Sequence, residues 1–175
     1  FWIKHLLPLT IFFINDIFIY VAGEIIMDKK YKEILGKQMA YLDSGEGQSI
    51  VFLHGNPASS FLWRNITPYV EDIGRIVVPD LIGMGDSEKL EGIDNPEYQY
   101  HGQYKYLSKL LDELDLGEEI NLVIHDWGSA MGFQYARENA DKIKSITFME
   151  AIVMPLTWDQ WPENARNIFQ LMRSD

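Results

Sequence analysis

Three short apolar runs constrain the fold of this 175-residue sequence more than any other feature. They read SIVFLH (49–54), RIVVP (75–79) and NLVIH (121–125). Each run is almost uninterrupted and rich in Ile and Val, which is typical of strands that are covered on both faces of a parallel sheet. The sequence therefore predicts a parallel sheet at the centre of the fold.

Helical patterns alternate with these runs. Apolar residues recur at helical spacing in 103–116 and 129–139, while residues 38–43 and 145–149 add two more candidate strands. A length near 150 residues is typical of one domain. We therefore predict a single α/β domain with a mostly parallel sheet and helices on both faces.

Composition excludes several classes of function. Fifteen Lys and Arg against 26 Asp and Glu give a formal net charge of −11, which repels phosphate backbones, so we expect no nucleic-acid partner. The chain has no Cys, and this excludes thiolate nucleophiles, zinc fingers and iron–sulfur ligation.

The first 26 residues are more apolar than the rest of the chain. Three interpretations of this segment are left open: a secretory signal, a membrane anchor, and translation of sequence upstream of Met27. Pro8, Asp16 and Glu24 would be costly in a membrane span. We expect a cytoplasmic protein, with secretion or anchoring through residues 1–26 as the alternatives.

Polar residues cluster where the predicted strands end. The segments are HGNPASS (54–60), PDLIGMGDS (79–87), HDWGSA (125–130) and MEAI (149–152). Ligands of open α/β sheets bind beyond the carboxyl ends of the strands, so these segments are the first candidates for a site. The GMGDS segment lacks the third Gly of a dinucleotide fingerprint and the Lys of a P-loop, and we interpret it as a turn.

Asp126 is the candidate nucleophile. It lies between an apolar strand and a helix, and Gly128 permits a tight reversal there, which is the arrangement of a nucleophile elbow. A carboxylate at a helix N-terminus stays ionised and can attack without a base. The alternative is that Asp126 only caps the helix.

Two neutral donors accompany this carboxylate in the sequence. The indole of Trp127 and the amide of Asn56 can stabilise a departing anion and still release it. The backbone N–H groups of Asn56 and Trp127 are candidates for an oxyanion hole.

Hydrolysis of an ester on Asp126 requires a base, normally a His that is supported by a carboxylate. Glu150, at the end of the next strand, is the candidate carboxylate, and a buried structural ion pair is its alternative role. For each of the four histidines a structural role is favoured over a catalytic one; these are His5, His54, His101 and His125.

The blocks HGNPASSFLWRNI, PDLIGMGDS, LVIHDWGSAMGF and MEAIVMPLTWDQWPE resemble the haloalkane dehalogenases of the α/β-hydrolase fold over about residues 31–175. The resemblance implies that Asp126 is the nucleophile, that Glu150 supports the base, and that Asn56 and Trp127 bind halide. It implies a core over 27–155 and the start of a helical cap over 156–175. The family's base His lies on a later loop, after the cap, and is not among these residues.

The resemblance also implies a small halogenated substrate, a halide product, no cofactor or metal, and no obligate protein partner. Alternatives are an epoxide hydrolase, a coelenterazine-type luciferase, or a binding protein of hydrolase-like fold that has no activity. Asn56 and Glu150 favour dehalogenation over epoxide hydrolysis, and Pro57 and Ile124 look more like the dehalogenases than the luciferase.

Overall fold

A computed structural model describes residues 10–14, 17–21, 28–92, 94–154 and 157–171. The strands are β1 (Thr10–Ile14), β2 (Ile17–Val21), β3 (Lys30–Ile34), β4 (Lys37–Ser44), β5 (Ser49–Leu53), β6 (Arg75–Pro79), β7 (Ile120–Asp126) and β8 (Ile143–Ala151). The α-helices are α1 (Tyr100–Glu113), α2 (Trp127–Glu138) and α3 (Glu163–Leu171). Short 3-10 helices cover Ser60–Trp63, Thr67–Tyr69, Glu71–Ile73, Pro96–Tyr98 and Trp158–Gln160.

Six strands form one mixed sheet in the order β3-β4-β6-β5-β7-β8. The pairs β3/β4 and β4/β6 are antiparallel, and β6, β5, β7 and β8 run parallel to one another. From β5 the chain crosses to β6 on one side, whereas from β7 it crosses to β8 on the other. The carboxyl ends of β5 and β7 therefore flank the crevice at which such sheets bind ligands.

Helical segments cover both faces of this sheet. On one face the buried side chains of α1 and α2, among them Leu107, Leu110 and Met131, pack with Leu53 and Ile124 of the strands. On the other face the buried side chains are those of Phe52, Trp63, Ile76 and Val78. Because both faces are covered there, the central parallel strands β5, β6 and β7 consist largely of apolar runs.

The prediction of a mostly parallel α/β sheet is confirmed. The five predicted strands are all present, with ends that differ by no more than two residues from those observed, and 75–79 matches β6. Helix α1 begins three residues before the predicted start, and α2 begins directly after Asp126. The sequence analysis missed β3.

Residues 10–14 and 17–21 of the apolar leader pair as antiparallel strands β1 and β2. The three interpretations of the leader stay predictions, and its residues 1–9, 15–16 and 22–26 lie outside the described residues. The predicted boundary between core and cap falls at residues 155 and 156, which also lie outside them. No helix of the described segments has the length and apolarity to cross a membrane.

Candidate active site

Asp126 lies at a sharp turn between β7 and α2. Its backbone has φ 51° and ψ −125°, in the left-handed half of conformational space that non-glycine residues rarely adopt. A Cβ on Gly128 would lie 2.5 Å from the backbone oxygen of His54, so only glycine fits where α2 begins. The chain thus reverses directly behind Asp126 and leaves its side chain at the carboxyl edge of the sheet.

The carboxylate of Asp126 faces the loop after β5. Its Oδ1 accepts a hydrogen bond of 2.9 Å from the backbone N–H of Asn56, and its side chain does not cap α2. A Cβ on Gly55 would lie 2.1 Å from Oδ1, so glycine is also required on this side. The alternative interpretation of Asp126 as a helix cap is therefore wrong, and its role as the nucleophile stays a prediction.

Asn56 and Trp127 provide neutral donors on either side of this carboxylate. Asn56 is exposed and precedes Pro57 through a cis peptide bond, while Trp127 is half-buried and its ring lies edge-on to Tyr100 at 6.4 Å. Among the described residues, neither the side-chain amide of Asn56 nor the indole N–H of Trp127 donates to a protein acceptor. Both groups are therefore available to a ligand.

Glu150 lies near the end of β8, beside the strand that carries Asp126. Its backbone also has a positive φ, 47°, and the pairing of β7 with β8 is irregular here, since Asp126 pairs with Ala151 and His125 with Met149. Glu150 is exposed at this position, and its role as the carboxylate that supports a base stays a prediction. Within the described ranges it forms no salt bridge, so the alternative role as a structural ion pair finds no partner there.

Ser129 connects these two carboxylate-bearing segments, and sequence reasoning missed it. Its buried hydroxyl donates to the backbone oxygen of Asp126 and accepts a hydrogen bond of 2.7 Å from the N–H of Ile152. The turn at Asp126 and the end of β8 are thereby held together through one hydroxyl. The position resembles an ordinary first-turn serine in the sequence and gave no signal.

Known proteins are similar to this chain in sequence and in fold. A family model described as alpha/beta hydrolase fold matches residues 48–174. The chain belongs to the α/β-hydrolase fold family. It is 50% identical over 147 residues to a haloalkane dehalogenase from Sphingobium indicum, and 48% identical over 145 residues to one from Mycolicibacterium smegmatis. These matches cover 84% and 83% of the chain, but 50% and 47% of the relatives.

A solved structure agrees with the sequence relatives. The crystal structure of a haloalkane dehalogenase from Agrobacterium tumefaciens superimposes with a TM-score of 0.75 at 32% identity, covering 84% of this chain and 49% of that one. A coelenterazine h 2-monooxygenase from Renilla reniformis is 40% identical over 142 residues, which is 79% of this chain and 45% of that protein. The predicted resemblance is confirmed, and the chain spans about half the length of the curated relatives it matches.

A buried carboxylate that was not predicted from the sequence supports the loops around the candidate site. Asp80, at the end of β6, is fully buried and accepts hydrogen bonds from the N–H groups of Ser60 (2.7 Å) and Asp86 (2.9 Å) and from Nζ of Lys29 (2.6 Å). Burial by itself would raise the pKa of Asp80, but these donors outweigh it and lower the pKa. Asp80 thus stays ionised and joins the loops after β5 and β6.

The described histidines make contacts with groups other than the two candidate carboxylates. His101 lies in the first turn of α1, and His125 packs its ring edge-on to Trp63. None of His54, His101 and His125 hydrogen-bonds to Asp126 or Glu150 within the described part of the chain. In the described part of the chain, no three or more His, Asp or Glu side chains lie close enough together to bind a metal ion.

An open cleft of about 550 Å³ lies beside this site rather than over it. Its walls come from the start of α1, the outer face of α2 and the chain after β8, and include Tyr100, Phe133 and Met154. Neither Asp126 nor Asn56 lines it. This cleft is therefore separate from the crevice between β5 and β7.

Proposed function

We propose that this chain carries the nucleophile and the halide-binding groups of a haloalkane dehalogenase. In the first step Asp126 attacks the halogen-bearing carbon of a haloalkane. A carbon–oxygen bond forms, the carbon–halogen bond breaks, and its electron pair leaves with the halide. In the second step water attacks the acyl carbon of this ester, which releases the alcohol and a proton and restores the carboxylate.

The hydrogen bond from the Asn56 N–H to Asp126 is the observation that carries the proposal. Because Oδ1 already accepts this bond, Oδ2 is the oxygen that attacks and Oδ1 becomes the ester carbonyl. The same N–H, with that of Trp127, would then stabilise the oxyanion that forms at Oδ1 during hydrolysis.

The free side-chain donors of Asn56 and Trp127 are assigned to the halide. Both are uncharged, so they stabilise the negative charge that develops on the leaving atom without holding the product ion as a cation would. The reaction needs no cofactor or metal, since the carboxylate is the nucleophile and the halide leaves by itself.

Glu150 is assigned to support of the histidine base in the second step. The family resemblance places that histidine on a later segment, and the three described histidines are not in position for the role. Its exposed position on β8 leaves Glu150 accessible to such a partner. We therefore expect these 175 residues to perform the first step and to stop at the ester.

Intact-mass spectrometry after incubation with 1-bromobutane tests the proposal. We expect one adduct, heavier by a butyl group less one hydrogen, that maps to the peptide containing Asp126. The matched control is Asp126→Asn, which keeps the size of the side chain and removes the nucleophile. No adduct on chain shown to be folded by circular dichroism, or the same adduct on Asp126→Asn, would contradict the proposal.

A coelenterazine monooxygenase is the second candidate, because the Renilla reniformis relative of that name is 40% identical over its match. Light emission from coelenterazine in the absence of any bromoalkane adduct would favour this candidate. We place it second because the dehalogenase relatives are more similar, at 50% and 48% identity.

A further inference from the structure

His54 lies at the end of β5 and is fully buried. Its Nε2 is 3.0 Å from the backbone N of Leu81, and its Nδ1 is 2.8 Å from the backbone oxygen of Gly55. The Leu81 N–H can only donate, so Nε2 must accept and carries no proton. The proton is then on Nδ1, which donates to Gly55, and the ring is neutral.

Burial favours the same state, since it lowers the pKa of His54 more than the hydrogen bond to Gly55 raises it. The two hydrogen bonds therefore select one tautomer, and the imidazole connects the loop after β5 to the loop after β6. A second connection runs in parallel, from the N–H of Ser60 to the buried carboxylate of Asp80.

The carbonyl that His54 holds belongs to the peptide group between Gly55 and Asn56. The N–H of that same planar group is the one that donates to Oδ1 of Asp126 at 2.9 Å. Because a peptide group is rigid, fixing the direction of its oxygen fixes the direction of its N–H. The Ala58 N–H also donates to the Gly55 oxygen, at 3.0 Å, and supports the same orientation.

We propose that neutral His54, in its Nδ1–H tautomer, is a positioning residue that orients the Gly55–Asn56 peptide so that its N–H points at the carboxylate of Asp126. His54 touches neither the nucleophile nor the reacting atoms and acts through this one peptide group. The structural part of the proposal stands on the geometry above, and its kinetic part rests on the proposed function of Asp126.

The first test is the tautomer of His54 in the 175-residue chain labelled with nitrogen-15. Long-range proton–nitrogen correlation spectra at neutral pH show which ring nitrogen carries the proton. We expect a protonated Nδ1 and an unprotonated Nε2. A protonated Nε2, or a doubly protonated ring, would overturn the proposal.

The second test separates the two hydrogen bonds with two variants. In His54→Asn the side-chain amide replaces Nδ1 and can still donate to Gly55, whereas in His54→Gln the terminal atoms replace Nε2 and leave the Gly55 oxygen without its side-chain donor. His101→Gln, on the exposed surface of α1, is the matched control. The readouts are the amide signal and hydrogen exchange of Asn56, and the rate of Asp126 alkylation by 1-bromobutane.

We expect His54→Gln to expose the Asn56 amide to exchange and to slow alkylation by about 100-fold, in line with the cost of a small misplacement at a reacting group. His54→Asn should retain most of the protection of the Asn56 amide and most of the alkylation rate. His101→Gln should retain both in full. The proposal would be overturned if His54→Asn and His54→Gln lost amide protection and alkylation rate equally and in proportion to the fall in their melting temperatures. An unchanged Asn56 amide signal in His54→Gln would also overturn it. If Asp126 of the wild type is not alkylated, its proposed function is refuted. The role of His54 is then decided by its tautomer and by the exchange of the Asn56 amide.

Discussion

At the scale of single residues, the proposed chemistry depends on uncharged donors beside one carboxylate. Asp126 receives a backbone N–H from Asn56, while the side chains of Asn56 and Trp127 remain without protein acceptors in the described part of the fold. An accessible, uncharged donor without a protein partner can exchange its water for an anion that develops at the crevice. We attribute both donors to a leaving anion for this reason.

Trp127→Phe removes the indole N–H and keeps an aromatic ring against Tyr100. We expect the rate of alkylation by 1-bromobutane to fall by about 10²- to 10³-fold, as for the loss of one donor to a developing anion. Trp158→Phe, on the 3-10 helix beyond β8, should keep the wild-type rate. Equal rates for Trp127→Phe and wild type, measured by mass spectrometry over time, would refute the assignment of Trp127.

The site residues that could be predicted from the sequence are those that lie at or just after the end of a strand. Asp126 and Asn56 follow apolar strands, and the pattern of each strand gives their position. The contacts of Ser129, His54 and Asp80 could not be predicted in the same way, because their partners include backbone amides 20 or more residues away in the sequence. No side-chain pattern records such a contact.

At the scale of elements, the site depends on the close approach of α2 to the sheet. A Cβ on Gly128 would lie 2.5 Å from the His54 oxygen, and one on Gly132 would lie 2.6 Å from Cγ2 of Ile124. These two glycines lie one helical turn apart and face β5 and β7. They let the N-terminus of α2 sit directly behind Asp126.

Gly128→Ala should therefore destabilise the chain by about 3 kcal/mol, the upper range for overpacking of a well-packed region. Gly92→Ala is the control, because its Cβ would meet no atom within 4 Å and only its φ of 78° is unfavourable, at about 1 kcal/mol. Urea unfolding measures both. A Gly128→Ala variant as stable as Gly92→Ala would show that α2 can shift without cost.

Strand β3 shows where prediction of elements from this sequence stops. Its residues KYKEI are mostly charged and exposed, and Ile34 alone is buried. A strand with so little apolar surface lacks the signal that revealed β5, β6 and β7. What holds β3 is pairing with β4 across the turn at Leu35 and Gly36, both of which have a positive φ.

At the scale of the whole molecule, the ion pair of Lys29 with Asp80 makes stability depend on pH at both extremes. Hydrogen bonds lower the pKa of Asp80 against the effect of burial, so its contribution is complete above its ordinary value of 3.8 and is lost as the pH falls through the folded value. Burial lowers the pKa of Lys29, but contacts with Asp80 and Asp86 raise it further than that. The Lys29 contribution is therefore complete below its ordinary value of 10.5 and is lost as the pH rises through the folded value.

Asp80→Asn should lower the free energy of unfolding at neutral pH by about 3 kcal/mol, because Lys29 loses its buried partner. It should also reduce the loss of stability on acidification. Glu97→Gln, which removes an exposed ion pair with Lys105, should change stability by no more than about 0.5 kcal/mol. Urea titrations across the pH range measure the stability of both variants. If Asp80→Asn lost as much stability on acidification as the wild type, the role of this carboxylate would be contradicted.

The described sheet ends in a long strand with exposed apolar side chains. Among the described strands β8 pairs with β7 alone, and Phe148 and Met149 on it are 57% and 39% exposed. Uncovered edges of this kind promote association between chains. The exposure of Glu150 on this strand could not be predicted from the sequence, because the segment MEAI does not show which side chains of β8 are covered.

Phe148→Lys should reduce self-association of the 175-residue chain, because a charge on an edge strand opposes pairing with another copy. Tyr69→Lys is the control, since Tyr69 is more exposed, at 87%, but lies in a 3-10 helix away from the edge. Light scattering as a function of concentration measures the effect. Equal scattering from Phe148→Lys and the wild type would show that association does not proceed through β8.

Because Asp126 and Glu150 both have a positive φ, selection for stability and selection for chemistry favour different residues at these positions. Glycine adopts such φ values, 51° and 47° here, without the strain that a side chain brings. Random libraries selected only for folding would therefore accumulate glycine at both positions, and libraries selected for bond formation at carbon would retain aspartate at 126. Gains in thermal tolerance obtained by the first route would erase the chemistry, so improved variants of this fold should be sought elsewhere in the chain.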